Sequence, residues 1–405
     1  MANDRIDLRM PEPVRGLLAG LGDRARVVGG AIRDRLFGEP RVIDWDLVTT
    51  LESDAVARGF VAEEIHHDRA FGVVRGRVGK LEISIATYRR DGRYGDRRHP
   101  DSVEFIADVG EDAERRDFSI NAIYADVDGA IEDPIGGCAD AERRVLRVIG
   151  DARDRLAEDP LRVLRGARFA ARFGLDWEPA SLAAARQVAR HSGSLPAARV
   201  FQELDGALAR GAPSLPRELD RVGLWNGIFR SAPDVTPPLG RRLQGLSGAS
   251  PELRWSAFLA DFPDAGAILR DFSAPRDLRR AVEATLAGAS ALLDLPRAGR
   301  SERRRRLESS TLPSQIDLLR ARVGAGEIEP GRLEQVLELV AHGPPARLIS
   351  GADVLARGVS DGPAVRRLLD DVEARLPDDA DRSRALIELD ACIARSVKPG
   401  PDAGR

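Results

Sequence analysis

Asp44 and Asp46 stand two residues apart in the run Asp44-Trp45-Asp46-Leu47-Val48-Thr49. On a strand, residues at that spacing point to one face, so the two carboxylates can hold hard cations together. Just before them, Val27-Val28 reads as a short apolar strand, Gly29-Gly30 as a turn, and the residues through Leu36 as a helix broken at Gly38 and Pro40. A glycine turn that opens a helix offers backbone N–H groups and a positive dipole end to a phosphate. Arg33 follows on the first helical turn, with Asp34 beside it. A metal pair beside a phosphate cradle is nucleotide chemistry. Singly, each half is commonplace, because an Asp-x-Asp on an exposed strand more often only solvates an edge. Their adjacency carries the reading.

The elements that must position these groups follow in order. Val14 to Leu21 and Glu52 to Arg58 read as helices, and Phe60 to Ile65, Phe71 to Gly76 and Leu81 to Tyr88 as strands. In the last, Glu82, Ser84 and Ala86 share one face and Leu81, Ile83 and Ile85 the other, the period of a half-buried strand. Glu82 therefore reads first as an ordinary polar-face residue and second as a third carboxylate beside Asp44 and Asp46. Arg89 to Pro100 is rich in arginine and glycine without apolar period, which predicts a mobile loop whose arginines meet RNA or triphosphate. In Glu114 to Asp126, Asp117 is placed to cap a helix starting at Phe118, with Ile120, Ile123 and Tyr124 facing the core. Asp128-Gly129 predicts a hairpin turn. In Ala157 to Gly174, Pro160 suits a first helical turn; Leu161, Val163, Leu164, Ala167 and Phe169 form an apolar stripe, and Arg162, Arg165 and Arg168 recur along another side.

At 405 residues the chain calls for two to four domains. It is 43% hydrophobic and 31% charged, and no apolar run approaches the ~20 residues of a membrane span, which predicts a cytoplasmic protein with no membrane partner. Two distant cysteines, Cys138 and Cys392, exclude a disulfide framework and a Cys-x-x-Cys zinc site. A net charge of −3 rules out a generally basic nucleic-acid coat. Arginine is abundant while Lys80 and Lys398 are the only lysines. The run Arg303 to Arg306 reads as a solvated helix face or as an RNA contact.

Three of these stretches resemble one family. Gly29-Gly30-x-x-Arg33-Asp34 followed by Asp44-x-Asp46, then Arg115-Arg116-Asp117-Phe118-Ser119-Ile120-Asn121-Ala122, then Glu158-Asp159-x-x-Arg162-x-x-Arg165 are similar, in order and spacing, to the signatures of the class II tRNA nucleotidyltransferases (CCA-adding enzymes) and bacterial poly(A) polymerases. Thr87 to Phe105, Asp133 to Asp140, Arg199 with Glu203, and Leu348 to Val372 resemble further segments of the family. The departures are Ser119 for a usual threonine, which keeps the hydroxyl, and Ala198 where a glutamate is frequent.

The resemblance implies an α+β fold: a polymerase-beta-like nucleotidyltransferase head with a mixed or antiparallel sheet (residues 1–150), then an all-helical neck (151–215), body (216–330) and RNA-binding tail (331–405). It implies tRNA as partner, CTP and ATP as substrates, and Mg2+ at Asp44 and Asp46 as cofactor. Gly30, Arg33, Arg116 and Asp117 would bind triphosphate and sugar, Asp159 and Arg162 the base, and Arg165 and Arg168 further phosphate or base groups. Asp159 would accept from an exocyclic amino group while Arg162, three residues on along the same helical face, donates beside it. Cytosine and adenine satisfy that pair; uracil and guanine present a carbonyl to the carboxylate, at a cost of ~1–3 kcal/mol or more. The glycines at Gly136 and Gly137 read as a flexible joint, and Gly362-Pro363 as a plain helix start or a phosphate contact. Where some relatives carry a His-Asp hydrolase motif, Ala260 precedes Asp261. The competing readings are a CC-only or A-only adding enzyme, a poly(A) polymerase, a small-molecule nucleotidyltransferase and a non-catalytic RNA-binding relative.

Overall fold

The computed structural model describes residues 5–40, 42, 44–92, 101–190, 195–229, 231–377 and 379–396. These divide into two compact units, Met1–Val235 with Asp271–Ser273, and Thr236–Arg270 with Ala274–Arg405. The first opens with helix α1 (Glu12–Leu21), closed by Gly22 at φ +61°. Strand β1 (Ala25–Val28), helix α2 (Gly30–Leu36), strand β2 (Asp44–Thr49) and helix α3 (Ser53–Gly59) follow. Strands β3 (Glu63–Asp68), β4 (Val73–Val78) and β5 (Leu81–Thr87) extend the sheet, and a separate hairpin pairs β6 (Arg89–Asp91) with β7 (Val103–Phe105). After helix α4 (Val109–Glu114), β8 (Tyr124–Ala125) and β9 (Ile131–Glu132) complete a seven-stranded sheet in the order β3-β4-β5-β2-β1-β8-β9. Every neighbouring pair is antiparallel except β2 with β5, so the sheet is mixed.

Alternation along the strands sets the two faces. Val27, Trp45, Leu47, Val74, Ile83 and Ile85 point into one core with Ile32 of α2. On the opposite face Val28, Val48, Tyr88 and Tyr124 form a smaller cluster, while Asp44 and Asp46, at the start of β2, lie open beyond its edge. One strand thus carries an apolar anchor and two exposed carboxylates.

Helix α5 (Gly137–Glu142) and strand β10 (Val145–Leu146) lead to helices α6 (Ala152–Glu158) and α7 (Leu161–Phe173); β11 (Asp176–Trp177) then pairs in parallel with β10. Helices α8 (Pro179–Ala189), α9 (Ala197–Ala209) and α10 (Leu215–Arg221) follow, with α9 and α10 packed on α7. The second unit is helical: Pro251–Leu259, Arg276–Leu292 and Leu312–Gly324 pack together, and Ile349, Val354, Leu368, Val372 and Leu389 centre a smaller cluster nearer the end. Among the described residues no helix is long and apolar enough to cross a membrane.

Several local expectations change. Phe118 opens no α-helix: Ser119–Asn121 is a single 3-10 turn, and the Asp117 carboxylate accepts from the Phe118 N–H and the Asn121 side chain. Gly136 and Gly137 are no flexible joint. The Asp133 carboxylate accepts from the N–H groups of Gly136, Gly137 and Cys138, and a methyl group on Gly137 would stand 2.2 Å from the Ser119 carbonyl. Arg89–Asp91 is strand; the rest of that arginine loop, 93–100, lies outside the described residues, as do His191 and the tail from 397. Arg90 is paired with Glu104 and Glu111. The stretch 237–245, whose prolines and glycines predict a linker from sequence, instead holds a helix, Pro237–Leu243, burying Leu239, Arg242 and Leu243. The Arg303–Arg306 run is neither a wholly solvated face nor a free one, since Arg304 donates to the Pro345 carbonyl (2.7 Å) and pairs with Glu308, and Arg306 pairs with Glu302. Asp261 pairs with buried Arg242 (2.6 Å), whose other nitrogen reaches Glu327 (2.8 Å).

Candidate active site

Gly29 ends β1 at φ +73° and turns the chain into α2, a conformation that glycine adopts without strain. The turn lies in ordinary contact distance of the site: a methyl group there would be 3.7 Å from Arg116 Nη1 and 4.0 Å from Asp46 Oδ2. Val28 is opposite Asp46 in the β1–β2 register, which brings the glycine turn beside the carboxylates. Next to them opens a hollow of about 270 Å3 lined by Gly29, Gly30, Asp44, Asp46 and Asp117 and by six arginines, Arg33, Arg116, Arg165, Arg168, Arg172 and Arg210. Asp34 is the fourth aspartate of the lining, so the arginines outnumber the aspartates six to four.

The arginines are held by carboxylates. Arg33 donates to Asp34 Oδ1 (2.6 and 2.9 Å) and to Asn121 Oδ1 (2.7 Å), and its guanidinium lies 4.5 Å from the Phe169 ring centre. Asn121 donates to Asp117 (2.8 Å), which pairs with Arg165 (3.0 Å); Glu203 of α9 pairs with Arg168 (2.7 Å), and Asp34 and Glu39 with Arg172 (2.9 Å each). Arg116 is fixed by Asp112 (3.1 Å) and the Tyr124 hydroxyl (3.0 Å), which itself donates to Asp112 (2.8 Å). Planar guanidiniums braced on one side present their remaining N–H groups as a phosphate-matching fork on the other.

These surroundings tune the acids. Crowding by protein pushes the Asp46 pKa up, and the Asp44 charge acts the same way, against Arg116, Arg33 and Arg75. Asp46 nevertheless keeps an exposed surface, so a cation can reach it. For Asp117, burial acts upward but is outweighed by Arg165, the Asn121 hydrogen bond and Arg162, which hold the carboxyl below its usual range. Burial, helped by Arg165, Arg33 and Arg172, pushes Arg168 down to about 10 against Glu203, so it stays charged at neutral pH.

Of the residues singled out from sequence, Asp44, Asp46, Gly30, Arg33, Arg116, Asp117, Arg165 and Arg168 meet at the hollow; Asp159 and Arg162 are not in its lining. Asp159 does not ride on the helix with Arg162 but follows the end of α6, its carboxylate accepting from the Leu161 N–H (3.1 Å). Arg162 donates to Glu158 (2.9 Å) and to the Arg155 carbonyl (2.6 Å). Glu82 is opposite Asp44 in the β2–β5 register, yet the described residues hold no cluster of three or more metal-type ligands. Sequence reading missed Arg172, Asn121 and Asp112. Arg172 extends the arginine series one helical step, and Asp112 stands four residues before Arg116, a helical ion-pair spacing.

Residues 25–147 match a family model described as the Poly A polymerase head domain. The chain is 32% identical over 227 residues to a CCA-adding enzyme of Leuconostoc citreum, a stretch covering 54% of this chain and 55% of that one. It therefore spans little more than half the length of that relative. A CCA-adding enzyme of Levilactobacillus brevis is 28% identical over 384 residues, 91% of this chain and 93% of its own. Among solved structures, the Bacillus stearothermophilus CCA-adding enzyme in complex with CTP superposes with a TM-score of 0.71 at 25% identity, covering 96% of this chain and 99% of that one.

Proposed function

We propose a function from one premise: residues 25–147 match the family model described as the Poly A polymerase head domain. The chain is then a nucleotidyltransferase that adds C and A to the 3′ end of tRNA from CTP and ATP, without a nucleic-acid template. The observation that carries this reading is the convergence of two exposed carboxylates with an arginine-lined hollow at the start of the central strand β2. Its extension to tRNA is supported by the likeness to CCA-adding enzymes along nearly the whole chain.

In the reaction, the terminal RNA hydroxyl attacks the α-phosphate, its oxygen bonds to phosphorus, and pyrophosphate leaves. Arg33, Arg116, Arg165 and Arg168 would grip the triphosphate and take up its negative charge, with the Gly30 N–H beside them. Nucleotidyltransferases of this kind generally use divalent metals. Asp44 and Asp46 fit such an ion, being two carboxylates on one face whose crowded charge favours a cation; bound Mg2+ would acidify the attacking hydroxyl and neutralise the pyrophosphate. The same crowding makes protons compete with the ion as pH falls. Asp159 and Arg162 would choose the base, which requires Arg162 to exchange Glu158 or the Arg155 carbonyl for the nucleobase. We take residues 151–215 as the neck and 216–330 and 331–405 as RNA-binding body and tail.

The test supplies purified protein with tRNA transcripts ending before CCA, after the first C or after CC, with CTP and ATP separately and together. Completion of each end to CCA is expected; no incorporation on any end refutes the assignment, and long A tails on unrelated RNA make the chain a poly(A) polymerase. Asp44→Ala and Asp46→Ala should lose incorporation while retaining tRNA binding.

A further inference from the structure

Asp44 and Asp46 form a wall shared by two hollows. One is the arginine-lined hollow; the other, of about 360 Å3, lies along the exposed sheet face toward β3 and includes His66, Arg75, Arg77, Glu82 and Ser84. A transfer reaction brings two substrates to the same carboxylates, and the nucleotide takes the first hollow.

The strand registers turn the second hollow into two cross-strand rows. Asp46 is opposite Ser84, Ser84 opposite Arg75, and Arg75 opposite His66, a line across β2, β5, β4 and β3. Beside it run Asp44, Glu82, Arg77 and Glu63. Directly opposite residues share a face, so both rows lie on the open side. They differ in charge balance. Arg77 is committed to Glu63 (2.8 Å) and Glu64 (3.1 Å), whereas Arg75 is exposed and makes no salt bridge or hydrogen bond among the described residues. That division depends on a bulge: the β3–β4 register shifts between Glu63 and His66, and Glu64 takes φ +53°, which costs backbone strain. The shift gives Arg77 two acids and leaves His66 as the residue opposite Arg75.

We infer that Arg75, at the middle of the Asp46–Ser84–Arg75–His66 row, binds the phosphodiester of the RNA's terminal nucleotide and so places the 3′-hydroxyl at Asp44 and Asp46. The inference rests on the proposed nucleotidyl transfer to RNA. Charge selects the occupant: an exposed guanidinium two strand spacings from the carboxylates, about 10 Å across the backbones, suits a phosphate linked to a group that reaches back to them. Arg75 is a substrate-positioning residue and needs no part in the chemistry.

Steady-state incorporation of ATP into a transcript ending in CC tests it on the full chain. Arg75→Gln should raise the KM for tRNA about tenfold, as loss of one charge-assisted contact does, with the KM for ATP unchanged. Arg75→Lys should restore most of the difference. The slope of log KM for tRNA against log salt should fall by about 0.7 in Arg75→Gln, one single-strand phosphate contact. An unchanged KM for tRNA refutes the role, and an equal rise in the KM for ATP moves Arg75 to the nucleotide side and refutes it as well. Incorporation by the unaltered chain separates these results from failure of the functional reading; its absence on every tRNA end overturns both.

Discussion

Asp112 shows how a residue with no claim to chemistry governs one that has it. It is 0% exposed, and its carboxylate holds Arg115, Arg116 and the Tyr124 hydroxyl together. Burial acts to raise its pKa, but Arg116, Arg115 and the Tyr124 hydrogen bond outweigh it and keep the carboxyl below the usual range. A depressed carboxylate adds stability above its unfolded pKa, near 4, and loses it as pH falls through the lower folded value. Asp112→Asn should therefore cost about 3 kcal/mol at neutral pH, because it leaves two guanidiniums without their counter-charge. The gap to the unaltered protein should narrow in acid, which urea unfolding at several pH values measures. A constant gap across pH would mean that the loss is one of packing, not charge. Nucleotide affinity should fall in the same variant, since Arg116 loses its brace.

At the scale of elements, helix α7 meets the head through Gly166. A methyl group there would stand 2.3 and 2.8 Å from ring atoms of Trp177 and 2.9 Å from Phe118. Alanine in a helix interior ordinarily gains about 1 kcal/mol over glycine, but these neighbours are buried rings with nowhere to swing, and overpacking costs about 1–3 kcal/mol. Gly166→Ala is expected to destabilise, seen as a lower urea midpoint; a higher midpoint would show that α7 can withdraw from Trp177. This contact also marks where sequence reading stopped. Periodicity exposed β2, β5 and α7 because each alternates or repeats against a core, and it put Asp44 and Asp46 on one face; Arg33 followed from its place after the glycine turn, and Arg116 only from the family resemblance. It had no grip on the two-residue strand β11, too short to show a period, or on Pro237–Leu243, where proline and glycine mask a helix that buries Arg242. Asp117 misled for a related reason: its carboxylate does not cap the following turn but accepts from the Phe118 N–H and the Asn121 side chain, and the chain makes only one 3-10 turn there. Asp159 and Arg162 looked like one helical face because the sequence does not say that α6 ends between Glu158 and Asp159.

For the whole molecule, the second unit has an electrostatic keystone of its own. Arg242 is 0% exposed between Asp261 and Glu327. Arg242→Ala leaves Asp261 without its partner and Glu327 with Arg322 alone, and should cost about 3 kcal/mol, the low end for a buried pair because Asp261 is partly open. Hydrogen exchange should report lost protection confined to 236–270 and 274–396, with nucleotide binding unchanged; loss spread through residues 5–229 would mean that the two units unfold together. The first unit poses the opposite problem. The chain as a whole carries a net charge of −3, yet its hollow gathers six arginines against four aspartates. Burial, with the neighbouring guanidiniums, lowers the Arg168 pKa to about 10 against Glu203, and the group stays charged at neutral pH. On the proposed function a triphosphate adds negative charge to arginines already braced by Asp112, Glu39 and Glu203, so the substrate doubles as a further counter-ion. At a hundred times its Kd a bound nucleotide adds about 2.7 kcal/mol to stability, a large share of what holds a typical domain folded. The chain would then be at its weakest when nucleotide runs out, and starvation for substrate would be felt first as a loosening of the fold.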